Sequence, residues 1–203
     1  MDIPERQIRA SHTDETVTVY QAYNPQIGEP AARTGRFGAG FRRGRMTWVK
    51  PSFLWMMYRC DWGRAEGQET VLAVTLRREG FEWALGRAVL SGYRAGSHAT
   101  KDEWKAALRS SCARVQWDPE RDLRLRSLPY RSLQLGLSGE AVHRYVDEWT
   151  VSIEDVTPLA RQVHALVREG DLAAASALLP AERAYPLPER IGERIGADGA
   201  SMG

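Results

Sequence analysis

The sequence predicts a mixed α+β protein with a helical appendage at its C-terminal end, and three observations carry that reading. Short alternating patterns at residues 16–23, 46–49, 71–76, 112–117, 133–137 and 149–153 are scattered through the first 155 residues. They are broken by helical patterns of unequal length, which fits α+β better than an evenly spaced βαβ series. From Thr157 onward the pattern becomes helical, which places a boundary near Val156 and divides the chain into 1–156 and 157–203. Finally, residues 45–63, RMTWVKPSFLWMMYRCDWG, hold three of the seven Trp and three of the five Met, marking the buried centre.

Taken in order, the first strand is TVTVYQAY, residues 16–23. Val17, Val19, Gln21 and Tyr23 share one face and Tyr20 and Ala22 the other, and Asn24-Pro25 breaks it. A short helix over 25–34 follows, interrupted by Pro30 and stopped at Gly35. After the strand at 46–49, Pro51 suits a helix start. Phe53, Met56, Met57 and Cys60 then fall at i, i+3, i+4 and i+7, and Leu54 and Tyr58 add a second row. A helix apolar nearly all round is buried. Gly63 is placed to end it.

Residues 71–76, VLAVTL, are apolar on both faces and read as a central strand. A helix is expected over 79–89, with Phe81, Ala84, Leu85 and Ala88 on one side, and a loop over 91–99. Thr100 and Glu103 spell a capping box for a helix through Arg109. The strand at 112–117 ends at Asp118-Pro119, and 121–131 reads as charged and irregular. The strand at 133–137 hands over to a short helix capped by Ser138 and running to Val146. A last strand covers 149–153. Beyond it, Thr157 is a good N-cap and Pro158 a good first residue. Leu159, Val163, Leu166 and Val167 make a stripe that Gly170 ends, an Ala-rich helix covers 171–179, and 186–203 reads as a loose tail.

Composition excludes several classes. A chain of 203 residues has room for one ordinary core, and 43% hydrophobic with 27% charged content is that of a folded protein. A net charge of +2 makes no demand for nucleic acid through bulk charge. Cys60 and Cys112 lack CxxC spacing and read as reduced thiols, which points to the cytoplasm. The N-terminus has no apolar signal core, and no apolar run reaches the length of a membrane span, so no membrane partner is expected. His12, His98, His143 and His164 are scattered without metal-ligand spacing, so no metal is expected. There is no GxSxG, and Cys60 in a buried helix is a poor nucleophile.

Residues 35–45, GRFGAGFRRGR, contain four Gly, four Arg and two Phe. Gly frees the backbone, Arg pairs with phosphate, and Phe stacks on bases. Arg36, Phe41, Arg42 and Arg43 are therefore candidate nucleic-acid contacts, the alternative being a mobile basic surface loop. No Walker motif is present. Arg45, Thr47 and Lys50 lie where a strand hands over to a helix N-terminus, which favours anions.

RQIRA, TVTVYQAYNP, RMTWVKPSFLWMMYR and LPYRSLQLGLSGEAVHRYV resemble the bacterial family of domain of unknown function 4291, over about residues 5–157. More distantly, VYQAYNPQIGEPAARTGRF and MTWVKPSFLWMMY resemble the opening elements of the ADP-ribosyltransferase fold. That resemblance implies a split, mixed β-sheet around an NAD cleft. By position it puts Gln21 in the His/Arg place, Thr47 in the Ser place and Gln134 in the Glu place as catalytic residues. Tyr20, Tyr23 or Trp48 would supply a flat wall for the ring, and Arg45 or Lys50 would face the pyrophosphate. Gln21 brings no charge, and Gln134 lacks the negative charge that would stabilise an oxocarbenium-like transition state.

Two functions follow as expectations. One is ADP-ribosyl transfer from NAD, used as a substrate, to a nucleic acid or protein. The other is a binding module for RNA, DNA or a nucleotide, working through the loop at 35–45 with Arg45, Lys50 and Arg59.

Overall fold

The computed structural model describes residues 3–94 and 99–198. Residues 95–98 of the expected loop and 199–203 of the expected tail lie outside the described residues. In chain order the elements begin with β1 (Arg9–Ala10), β2 (Thr16–Tyr23), α1 (Pro25–Thr34), β3 (Thr47–Val49), α2 (Phe53–Cys60) and β4 (Thr70–Arg77). Then come α3 (Arg78–Leu85), β5 (Val89–Leu90), α4 (Lys101–Ser110), β6 (Ala113–Arg121) and β7 (Ser127–Leu137). The chain closes with α5 (Glu140–Arg144), a π-helical turn (Tyr145–Trp149), β8 (Thr150–Asp155), α6 (Thr157–Glu169), α7 (Leu172–Ala177), β9 (Arg183–Ala184) and α8 (Glu189–Ile195).

The strands form a three-stranded, a four-stranded and a two-stranded sheet, and the α+β class is as expected. β2, β4 and β8 form an antiparallel sheet in the order β2-β4-β8. The second sheet runs β3-β7-β6-β5 and is mixed, because β5 pairs parallel with β6. β1 pairs with β9 alone. The two larger sheets touch at one backbone bridge: Tyr20 N–H donates to Lys50 O at 2.7 Å, and Lys50 N–H to Tyr20 O at 3.2 Å.

Alternation along β2 and β4 serves two cores at once. Val17, Val19, Leu72, Val74 and Leu76 face a core shared with Val49, Val115, Leu133, Leu135 and Leu137 of the second sheet. Tyr20 and Val71 face a second core with Phe53, Met56, Met57 and Cys60 of α2. The spacing of those four side chains puts them on one helix face, and each fully buried large apolar side chain contributes about 1.5–3 kcal/mol. Ala160 and Val163 of α6 and Ala175 of α7 complete that second core. Ser52 rather than Pro51 begins α2, its hydroxyl accepting from Trp55 N at 3.1 Å. The helix ends one turn before Gly63: Asp61 (φ 49°) and Trp62 (φ 57°) already take left-handed backbone. The Trp62 ring is held there, stacked on His164 of α6 at 5.3 Å.

Other expectations are corrected by identifiable contacts. β6 continues through Asp118-Pro119, because the register shifts between Pro119 and Arg121 and a bulge absorbs the missing N–H. The charged stretch after it is a hairpin tip. Asp122 Oδ1 accepts from Arg124 N and Arg126 N, each at 2.9 Å, and turns the chain into β7. α3 stops at Leu85, and Val89 enters a strand instead of the helix. Ser138 bonds Cys112 O rather than capping α5, and Trp149 closes the π-helical turn rather than opening β8. Thr157 Oγ1 accepts from Val71 N at 2.8 Å, so it ties α6 to β4 instead of capping its own helix. The expected loose tail is built in through Asp198. Tyr185 and Ile195 are buried in the first core, and β9 pairs with β1. Among the described residues, no helix is long and apolar enough to cross a membrane.

The start of α2 rests on two acids. Glu120 of β6 accepts from Ser52 Oγ at 2.9 Å and Arg121 N at 2.8 Å, and Glu182 accepts from Phe53 N at 2.7 Å. A helix N-terminus favours anions, but burial outweighs this here. Burial first, then the charge of Glu120, pushes the Glu182 carboxyl up to about 8, and burial raises Glu120 as well.

Acids whose pKa is raised on folding hold protons that the unfolded chain releases, so their stabilisation is complete below the unfolded value. For Glu182 it is lost as pH rises from about 4.5 to about 8. Thermal unfolding midpoints should therefore fall across that window, and Glu182→Gln should flatten the fall and raise the midpoint at its alkaline end. An unchanged pH profile in Glu182→Gln would count against the linkage. A second expectation concerns Gly80 of α3, where an added Cβ would stand 2.2 Å from the Trp149 ring. Gly80→Ala should cost about 1–3 kcal/mol or more in urea unfolding, since overpacking forces neighbours apart. A variant as stable as the parent would mean that Trp149 moves aside freely.

Candidate functional site

Beyond the Tyr20–Lys50 bridge the facing edges of β2 and β3 part, and side chains span the gap. Gln21, 4% exposed, donates from Nε2 to Thr47 Oγ1 at 2.8 Å and to Trp48 O at 3.2 Å. Its Oε1 accepts from the Tyr145 hydroxyl at 2.6 Å. Tyr23 Oη lies 3.2 Å from Thr47 Oγ1. Burial pushes the Tyr23 hydroxyl up to about 12 and the Tyr145 hydroxyl well above its ordinary value, so this network carries no charge near neutral pH. The alternation that puts Val17, Val19 and Gln21 on one face makes Gln21 a buried polar residue in an apolar row. A buried amide must find partners, and here it finds all of them in the neighbouring strand and the π-helical turn.

Next to this network lies a cavity of about 740 Å³. Its cations are Arg42, Arg45, Lys50 and Arg59, and its amides include Gln68, Gln116 and Gln134. Tyr23, Trp48, Ile27, Met46 and Met56 give it apolar wall. Among the described residues that line it, none is Asp or Glu. Trp48 is pressed flat across Gly136 of β7, where a Cβ would stand 3.0 Å from the indole, so only glycine at that position admits the ring.

Lys50 is the most constrained of the cations. It is 6% exposed, donates from Nζ to Trp48 O at 3.2 Å, and lies 5.7 Å from the Trp55 ring centre. Burial, then the nearby Arg59 charge, lowers its ammonium to about 8. The closest acid chemistry is at the rear of the amides. Gln134 Nε2 donates to Asp118 Oδ2 at 2.5 Å and Gln116 Nε2 to Asp118 Oδ1 at 2.9 Å. Gln116 and Gln134 are cross-strand partners in the β6–β7 ladder, which is why both amides reach the same carboxylate.

The structure brings Gln21, Thr47 and Gln134 to one cavity, together with Tyr23, Trp48, Arg45 and Lys50. Tyr20 is not among its lining residues. It points to the second core, edge-on to Phe53 at 5.5 Å, because it sits on the opposite face of β2 from Gln21. Phe41, a candidate contact on the loop, is among the residues that line the cavity. Phe41 is 7% exposed and packs with Phe37, Tyr23 and Tyr145, anchoring the loop to the first core. Arg43 is engaged by Asp147 of the π-helical turn at 2.7 Å. Arg42 is exposed and reaches the cavity, while Arg36 is exposed and is not among the lining residues.

Arg59, Gln68 and Gln116 complete the lining. Sequence reasoning named Arg59 only as a possible anion contact and missed the two glutamines. Gln116 stands alone inside a strand pattern, and its pairing with Gln134 is the only signal that would have marked it. The arrangement has the parts to hold an anion through guanidinium groups, hydroxyls through amides, and a planar ring against Trp48.

A search of the curated proteins finds no match. The family model described as domain of unknown function (DUF4291) matches residues 7–185, and the chain belongs to that family.

Proposed function

We propose that the cavity binds a phosphate-bearing nucleotide, with NAD as the first candidate. The observation that carries this reading is the charge of the lining: Arg42, Arg45, Lys50 and Arg59 converge on one cavity without a lining carboxylate to neutralise them. In this reading Arg45 and Arg59 take the phosphates, Gln116 and Gln134 take ribose hydroxyls, and Trp48 lies against a base or nicotinamide ring. Gln21 and Thr47 hold the strands apart at the correct width, since their own hydrogen bonds are already used. A long polynucleotide is less well supported, because Phe41 and Arg43 are engaged within the fold.

ADP-ribosyl transfer to a nucleic acid or protein is the second reading, and one observation favours it. Asp118, held by Gln134 and Gln116, is a carboxylate immediately behind the ribose-binding amides. It would supply the negative charge that Gln134 lacks.

Thermal shift with NAD, AMP and pyrophosphate against an uncharged nucleoside tests the first reading. The phosphate-bearing compounds should protect, by about 2.7 kcal/mol at a hundredfold excess over Kd. Replacing Arg45 or Arg59 by Ala should weaken binding roughly tenfold each, the size of a lost charge-assisted contact. Equal behaviour of nucleoside and nucleotide would remove the reading. For transfer, labelled NAD with mixed acceptors should release nicotinamide in the parent and not in Asp118→Asn. Release that survives that substitution would exclude Asp118.

A further inference from the structure

We propose that Lys50 is an imine-forming nucleophile and that the cavity accepts a phosphate-bearing aldehyde or ketone. This rests on the phosphate-binding reading of the same cavity. Three observations lead there. Lys50 is buried and yet is one of the residues that line the cavity, so it meets ligand space and little bulk water. Among the described residues no carboxylate lies within 4.0 Å of it, and its side chain donates to a neutral carbonyl, Trp48 O. Its cationic neighbours are Arg59 of α2 and Arg42 and Arg45 of the loop before β3.

An ammonium in such a place is penalised twice, by desolvation and by like charge, and gives up its proton more readily than an exposed lysine. The groups that oppose this are Asp118 of β6 and Cys60 of α2, which favour the charged form but do not prevail. The choice of residue points the same way. Lysine occurs at only three positions, 50, 101 and 105, and every other Lys/Arg-type cation in the chain is arginine. Arginine cannot be deprotonated in a protein, and lysine can. The one buried basic side chain at this cavity is thus the type able to become a free amine.

The step balances without an oxidant or reductant. The Lys50 Nζ lone pair adds to the carbonyl carbon, and the carbonyl electron pair moves to oxygen. The two N–H protons and that oxygen then leave as water, and a C=N bond remains. Arg42, Arg45 and Arg59 hold the phosphate of the same molecule, which turns a bimolecular addition into a positioned one.

The test uses the intact chain with two probes, pyridoxal 5′-phosphate and pyridoxal, each followed by borohydride trapping and peptide mapping. Lys50 should carry the label, with half-saturation at a roughly tenfold lower concentration for the phosphorylated aldehyde, one charge-assisted contact's worth. Pyrophosphate should compete, and labelling should rise as pH passes through about 8. Lys101 and Lys105, both exposed on α4, are internal controls and should label alike with either probe. Lys50→Arg should lose the Lys50 label and leave theirs. Label confined to Lys101 and Lys105 in the parent overturns the proposal. If pyrophosphate still protects that sample against heat, the phosphate reading stands and only the imine step falls. If Lys50 labels equally with both probes and pyrophosphate neither competes nor protects, the substrate class falls together with the phosphate reading.

Discussion

Two sheets that meet at a single backbone bridge need something else to keep them in register, and the carboxamide of Gln21 provides it. Its N–H groups replace the ladder bonds that β2 and β3 do not make, and its oxygen takes the hydroxyl of Tyr145 from a third element. An amide is well suited to this place because it donates and accepts without carrying charge into the core. A truncated side chain would leave the Tyr145 hydroxyl without its partner in the core, at a cost of about 1–3 kcal/mol, and Thr47 with Tyr23 alone. The cavity lies beside this network and takes Gln21 and Thr47 into its lining.

Charge is sorted along the polar face of the second sheet. Alternate residues of β6 on one face are Gln116, Asp118 and Glu120. Gln116 belongs to the cationic cavity, Asp118 is clasped by two amides, and Glu120 joins Glu182 under the start of α2. Period-two geometry spaces successive groups on that face about 6.4–6.8 Å apart, which keeps the two acids from sharing one site. Lys50 lies at the cationic end and Glu182 at the acidic end. Both are pushed by burial toward their neutral forms, from opposite directions.

Much of the fold was legible because local signals agreed. β2 matched its alternation to the residue, and α1 its start at Pro25 and its Gly35 stop, with Pro30 tolerated inside. The misreadings came where a tertiary contact overrode a local rule. Pro119 looked like a terminator and sits at a bulge; Thr157 looked like a cap and bonds another strand; the Gly- and Pro-rich end hid Ile191 and Ile195 at helical spacing. Of the cavity, the residues on β2 and β3 were readable from position in the chain. Gln68 and Gln116 were not, since the lining is drawn from many separated segments and no spacing along the sequence links them. The acids at 120 and 182 were hidden for the same reason.

The return of the chain to its beginning has a consequence for assembly. Tyr185 N bonds Ile8 O, Asp198 N bonds Arg6 O, and Ile195 is 1% exposed in the same core as Ile8. These contacts join segments almost two hundred residues apart, and they form only after the segment bearing Ile195 has been synthesised. During translation, emerging at about 5–20 residues per second, the first core has to wait with one wall open. The second core draws its buried residues from no further along than Ala175, with Leu178 and Leu179 packed against it, and its parts are all made sooner. The flank of α3 around Phe81 and Leu85, which Tyr185 and α8 cover, is therefore the last part of that wall to close.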